Sequence, residues 1–180
     1  AYKSFDRLDK FLRALPKHWP WAVELRHNDW FDAGPQEARL EDLLRELQID
    51  RVLFDSRPLN ALDPSDVSET ASQTRKPKSP FRTSVTGARP MVRLIGRNNP
   101  EEVTQYWQFW AKQINDWILQ GLQPWIFTHA PDDRAAPQLA YLFDDNIRSL
   151  RENLQALPRL NTAGGAKKAG ENNMKQLELF

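Results

Sequence analysis

The chain contains no cysteine, which removes disulfides, thiolate nucleophiles and cysteine-held iron–sulfur clusters from consideration within it. Net charge is almost absent as well. Lys and Arg total 25 against 24 Asp and Glu, so no global electrostatic case exists for a nucleic acid or a membrane surface, and any such case must be local. No apolar run approaches the roughly 20 residues that a membrane-spanning helix requires, and nothing near Ala1 reads as a signal peptide. The cytoplasm is the compartment expected, and the start without methionine raises the expectation of a longer parent chain. Also missing are the Gly-x-x-x-x-Gly-Lys phosphate loop, the dinucleotide glycine fingerprint and the Gly-x-Ser-x-Gly elbow, which disfavours P-loop hydrolases and serine hydrolases. What is present is a chain of 180 residues, 40% hydrophobic and 27% charged, ordinary for one globular domain with a tail.

Four short apolar runs end in charged or imidazole groups: Val23-Glu24-Leu25-Arg26-His27, Val52-Leu53-Phe54-Asp55-Ser56-Arg57, Val92-Arg93-Leu94-Ile95-Gly96-Arg97 and Trp125-Ile126-Phe127-Thr128-His129-Ala130-Pro131-Asp132. Helical patterns separate them. Phe5, Leu8, Leu12 and Leu15 recur at helical spacing behind Ser4, a candidate N-cap, and Pro16 ends the segment. A strand over about Trp21 to Arg26 follows. Gly34-Pro35 opens a helix with Leu40, Leu43, Leu44 and Leu47 on one face, ahead of a strand at Arg51 to Phe54. Asn99-Pro100-Glu101-Glu102 reads as N-cap, proline at the first helical position and acids against the helix dipole, and a broad apolar stripe from Val103 runs to a stop at Gly121. A last helix carries Leu139 through Leu154 and ends before Pro158. The alternation predicts parallel strands whose carboxyl ends share one rim, gathering Arg26, His27, Asp55, Arg57, Arg97, His129 and Asp132.

Two stretches break the alternation. Pro58 to Pro90 is a long Pro-, Ser- and Thr-rich connection whose second half holds Arg75, Lys76, Lys78, Arg82 and Arg89 with no acid from Thr70 onward. Such a loop suits a phosphate or another anion, and equally suits plain solvation. Residues 161–175 form a Gly-, Ala-, Lys- and Asn-rich tract read as a flexible linker behind a domain spanning 1–160, and the chain ends in Gln176-Leu177-Glu178-Leu179-Phe180. That pentapeptide resembles the Gln-Leu-x-Leu-Phe type of motif with which bacterial replication and repair proteins dock on the DNA sliding clamp, so Gln176, Leu177, Leu179 and Phe180 are candidate partner-binding residues. The alternative is a tail that folds back on its own domain.

Each rim residue has a functional and a structural reading. Glu24 faces away from Leu25 and calls for Arg93 or Arg26 as partner, in an ion pair or at a ligand. Asp55 and Arg57, two apart, share a face, so the carboxylate can hold the guanidinium against an oxyanion. His129 suits a general base, a metal ligand or a structural imidazole, and Asp132 after Pro131 suits a helix cap. Asp55 and His129 are thus the catalytic candidates; Arg26, Arg57, Lys76, Lys78 and Arg93 are the ligand or anion candidates. A divalent metal is open, since His27, Asp55, His129 and Asp132 are suitable ligand types but no ligand spacing ties them to one ion. His18, Trp107, Trp110 and Trp117 are read as surface and shell packing.

Several motifs in order also carry a family likeness. Glu24-Leu25-Arg26-His27-Asn28-Asp29-Trp30-Phe31, Asp55-Ser56-Arg57-Pro58, Lys76-Pro77-Lys78, Val92-Arg93-Leu94-Ile95-Gly96 and His129-Ala130-Pro131-Asp132 resemble the YecE-like family of bacterial proteins, a domain of unknown function. The resemblance implies a TIM-type (β/α) barrel related to barrel endonucleases acting on DNA. The family's early Gly-Thr-Ser-Gly-Trp type of motif has no counterpart here, and some branches carry Arg-x-His-Gly where this chain has Arg93-Leu94-Ile95-Gly96, so no histidine role transfers to that strand. A closed barrel of this type takes eight strands over roughly 250 residues, so the four strands counted here predict a C-terminal half barrel. Half a barrel leaves open strand edges and an uncovered apolar face, to be satisfied by a second chain or by upstream sequence. Two functions follow as expectations: an enzyme acting on a phosphate-bearing or nucleic-acid substrate, or a non-catalytic accessory recruited to the clamp by its tail.

Overall fold

The computed structural model describes residues 2–159, with side chains from Phe5 onward. Residues 160–180, and with them the linker and Gln176, Leu177, Leu179 and Phe180, lie outside the described residues. Strands β1 (Ala22–Val23), β2 (Asp50–Asp55), β3 (Met91–Ile95) and β4 (Trp125–His129) form one sheet in the order β1-β2-β3-β4. All three pairings are parallel, with Val23 opposite Arg51, Phe54 opposite Arg93 and Ile95 opposite His129. The strands therefore end side by side, as the alternation predicts. β1 is shorter than the expected Trp21 to Arg26: it is an edge strand, and only Ala22 and Val23 enter the ladder.

The helices follow from local chemistry. Helix α1 covers Tyr2–Arg13 and so begins ahead of the expected cap at Ser4. Helix α2 (Pro35–Leu47) starts on proline at its first turn, where Asp32 accepts hydrogen bonds from the amides of Gly34 and Glu37, and it stops at Gln48 in the left-handed conformation (φ 54°). Asn99 caps a 3₁₀ turn over Pro100–Val103 that leads into α5 (Thr104–Leu119). Gly121, at φ +84°, then turns the chain toward β4. Helix α6 (Ala136–Leu150) ends one turn before the expected Leu154.

The long connection after β2 is not a featureless loop. It holds α3 (Arg57–Asn60) and α4 (Val67–Arg75), the latter capped by Asp66, whose carboxylate accepts from the Glu69 amide at 2.9 Å. Helix α4 has no apolar stripe because polar contacts hold it. Glu69 is fully buried, accepts from the amides of Ser65 and Asn98, and pairs with buried Arg97 at 2.6 Å. Gln73 donates to the carbonyls of Leu59 and Leu62.

Alternation along the strands sorts the two faces. Leu53, Val92 and Leu94 join Trp107, Trp110, Ala111 and Ile114 of α5 and Leu139 and Phe143 of α6 in the main core. Trp107, Trp110 and Trp117 thus lie in the core and not at the surface, because the broad stripe of α5 packs flat on the sheet. A second core joins α1 and α2, with Val23 and Leu25 packed against it. Gly96 lies where this side is tightest: a Cβ there would stand 2.6 Å from Leu139 Cδ1 and 3.1 Å from Trp107 Cη2. On the opposite face, among the described residues, Phe54, Leu59 of α3 and Ile95 form a small buried cluster. Trp125 and Phe127 of β4 are 56% and 43% exposed there. Among the described residues no helix is long and apolar enough to cross a membrane.

Candidate anion-binding site

The carboxyl ends of the strands open on a cleft of about 340 Å³ beside Phe54. Arg93, the central residue of β3, points into it from the face opposite Val92 and Leu94. Its guanidinium donates to Glu24 through one terminal nitrogen and meets His129 Nε2 through Nε and the other terminal nitrogen, both at 3.3 Å. Both contacts of Nε2 come from N–H donors, so Nε2 is the acceptor and the imidazole proton sits on Nδ1. Arg26 donates its Nε to the other Glu24 oxygen at 2.6 Å. One carboxylate therefore braces two arginines, the partnership expected for Glu24.

From the far side, Arg75 at the end of α4 and the adjoining Lys76 complete the rim. Neither has a carboxylate partner among the described residues. Ser56 fixes this segment by donating its hydroxyl to the Pro77 carbonyl at 2.9 Å. Ser72, 3% exposed, also borders the cleft, and its hydroxyl makes no hydrogen bond among the described residues. Ser72 escaped the sequence reading, and Arg75 entered it only as one charge of the basic loop, because nothing there marks α4 as a helix that delivers its last turns to the strand ends.

The field of the cleft is positive. Burial, reinforced by the charges of Arg93 and Lys76, pushes the His129 imidazole below its ordinary pKa, so it is neutral near pH 7. Burial works against the Glu24 carboxylate, but hydrogen bonds from Arg93 and Arg26 outweigh it and hold its pKa below the ordinary glutamate value.

Asp55 and Arg57 join each other but belong to the other face of the sheet. The Asp55 carboxylate, 1% exposed, accepts from Arg57 Nε at 3.0 Å, from an Arg57 terminal nitrogen at 2.8 Å, and from Trp110 Nε1 at 2.8 Å. The Arg57 guanidinium lies 3.4 Å over the Phe81 ring, with Tyr106 and Phe109 further out. Neither residue lines the cleft with Arg93.

The remaining rim residues take structural places. Arg97 is 1% exposed, pairs with Glu69 and Glu102, and donates to the carbonyls of Leu62 and Asp63, clamping the α3–α4 segment. His27 caps a 3₁₀ turn at Asn28–Trp30 through Nδ1, and Asp132 caps the one at Asp133–Ala135. Lys78 is exposed and does not line the cleft, unlike Lys76. Arg82 is held by Glu37 at 2.8 Å. Among the described residues no group of three or more His, Asp and Glu side chains is placed to hold a metal ion, so His27, Asp55, His129 and Asp132 do not converge.

These features define a parallel α/β protein with its polar cluster at the strand carboxyl ends, the position where open parallel sheets and barrels carry ligands. The chain belongs to the DUF72 family, whose description is a protein of unknown function: the family model matches residues 1–162. It is 31% identical over 158 residues to the UPF0759 protein YecE of Escherichia coli K12, covering 88% of this chain and 58% of that protein. The YecE protein of Escherichia coli O157:H7 is 30% identical over the same length and coverage. The crystal structure of a DUF72 family protein from Enterococcus faecalis V583 matches the fold with a TM-score of 0.51 at 15% identity, over 86% of this chain and 55% of that one. The chain thus spans little more than half the length of the curated relatives it matches.

Proposed function

We propose that the cleft between Arg93 and α4 recognises phosphate, and that the chain supplies four βα units of a TIM-type barrel with this site at its strand carboxyl ends. The observation that carries the reading is the convergence of Arg26, the adjacent Arg75 and Lys76, and Arg93, from three separate segments, around Ser72, whose hydroxyl no described residue engages. The barrel reading is supported by strands in sequential order, parallel throughout, with α2, α5 and α6 on a single face, where a doubly wound sheet carries helices on both. The exposed Trp125 and Phe127 and the outer edge of β4 suit further strands of a longer protein or a second copy of the half barrel.

The geometry favours recognition over proton transfer. Asp55 has its oxygens engaged by Arg57 and Trp110, and the lone pair of His129 Nε2 is directed at Arg93. An enzyme acting on a phosphate-bearing or nucleic-acid substrate would draw on this anchoring, with His129 freed as Arg93 turns to the ligand. Titration calorimetry of the 180-residue chain with inorganic phosphate at low ionic strength tests the reading. Arg93→Ala is expected to weaken binding on the order of ten- to hundredfold, since it removes charge-assisted hydrogen bonds, while Arg57→Ala leaves it unchanged. Absence of binding, or binding indifferent to Arg93→Ala, refutes the site.

A second reading rests on Gln176-Leu177-Glu178-Leu179-Phe180, which follows a tract rich in Gly, Ala, Lys and Asn. We infer that this tail docks on the DNA sliding clamp and recruits the domain to it. In a pull-down with purified clamp, deletion of Phe180 should abolish retention, and equal retention of both chains removes the motif from the argument.

A further inference from the structure

The cleft carries a surplus of charge that narrows its ligand. Arg26, Arg75, Lys76 and Arg93 supply four cations. Glu24, bonded to Arg26 and Arg93, and Asp133, on the rim, supply two carboxylates. His129 is neutral near pH 7, which leaves an excess of two positive charges. The surplus is not spread evenly. Glu24 serves the two arginines of the strand side, whereas Arg75 and Lys76 have no anion of their own among the described residues. The volume, about 340 Å³, lies at the small end of ligand cavities, enough for a phosphate and a modest organic group.

We propose that the cleft selects a dianionic terminal phosphate, a phosphomonoester, over the singly charged diester that links two groups. A phosphomonoester carries between one and a half and two negative charges near neutral pH, because its second ionisation falls near pH 6. Its three terminal oxygens can meet the Arg93 guanidinium, the Arg75–Lys76 pair and the Ser72 hydroxyl together. A diester offers two free oxygens and one charge, and it must pass two substituents through a cleft walled on one side by Pro77, whose carbonyl is held by the Ser56 hydroxyl. Arg93 alone binds either anion, so discrimination falls to Arg75 and Lys76.

This inference rests on the reading of the cleft as a phosphate site, and its test separates the two. The 180-residue chain is titrated at about pH 7.5 with methyl phosphate and with dimethyl phosphate, and the double variant Arg75→Ala/Lys76→Ala is titrated in parallel. The expected result is a preference of about tenfold or more for methyl phosphate, lost in the folded double variant. Equal affinity for both overturns the dianion proposal and leaves the phosphate site standing; failure of inorganic phosphate to bind overturns both. The source of the monoester is separated by two further ligands. Tighter binding of ribose 5-phosphate points to a free phosphorylated sugar, and tighter binding of a 5′-phosphorylated oligonucleotide points to a nucleic-acid end. An oligonucleotide that binds equally with a 5′-hydroxyl overturns the proposal.

Discussion

The two faces of this sheet use the same pair of groups, arginine and carboxylate, to opposite ends. Toward the helices, Asp55 is sealed by Arg57 and the Trp110 indole, and the guanidinium is stacked on Phe81. Toward the open face, Glu24 braces Arg93 and Arg26 beside an aqueous cleft, and each arginine keeps donors to spare. The first arrangement closes its carboxylate off from water, so removing it strands the Trp110 N–H and the Arg57 donors that face it. The second is incomplete by itself, and a ligand with oxygens and negative charge completes it. Burial and spare hydrogen-bonding capacity, more than residue type, separate an anchor from a binding site.

The largest effect should come from breaking the anchor. Asp55→Ala leaves the Trp110 N–H and the Arg57 guanidinium without their acceptor, and about 3 kcal/mol of stability is expected to go, the low end for a buried pair because Arg57 can turn to water. Chemical denaturation measures it, and a loss below about 1 kcal/mol would erase the contrast between the faces. Gly96→Ala tests the packing of the same side. The new Cβ meets the Leu139 side chain and the Trp107 ring, so a cost of about 1–3 kcal/mol is expected, read as a lowered urea midpoint. Arg93→Ala should show the reverse profile: the stability change stays within about 1 kcal/mol, because Glu24 keeps Arg26 as a partner and the site is partly hydrated, while phosphate binding is lost.

What the sequence allowed to be read follows from the range of the signals. The four strands and the apolar stripes of α2, α5 and α6 repeat over many residues, so their register survives local irregularity. The Glu24–Arg93 pairing follows from two charged residues at alternate positions of strands whose ends share a rim. The separation of Arg57 from Arg93 does not follow so simply. Asp55 has the parity of Leu53, which already assigns it to the helix side, but Arg57 lies past the strand end, where alternation no longer applies. The helix α4 stayed hidden because Glu69 and Gln73 stabilise it with polar contacts, and a polar pattern between Pro58 and Pro90 reads as a loop. The tryptophans of α5 show the opposite limit, since seven of them in the chain say little about depth until a sheet is placed beneath the helix.

The smallest effect, and the one that probes the open face most directly, is the pH dependence contributed by His129. Burial and the charges of Arg93 and Lys76 depress its pKa in the folded chain, whereas the unfolded chain titrates near the ordinary value of about 6.5. As the pH falls through that value the unfolded state takes up the proton first. The His129 contribution is therefore fully present above about pH 6.5 and is lost as the pH drops toward the depressed native value. Glu24, also depressed, loses its contribution in a separate window below the ordinary glutamate pKa of 4.5. Comparing melting temperatures of wild type and His129→Gln between about pH 7 and 5 isolates the imidazole, because Gln retains an acceptor for Arg93 without titrating. The wild type should fall more steeply. A bound phosphate should, by the same linkage, raise the His129 pKa, since the anion offsets the cations around the ring. An NMR titration of the ring protons with and without phosphate reads that shift, and coincident curves would place the bound anion away from Arg93.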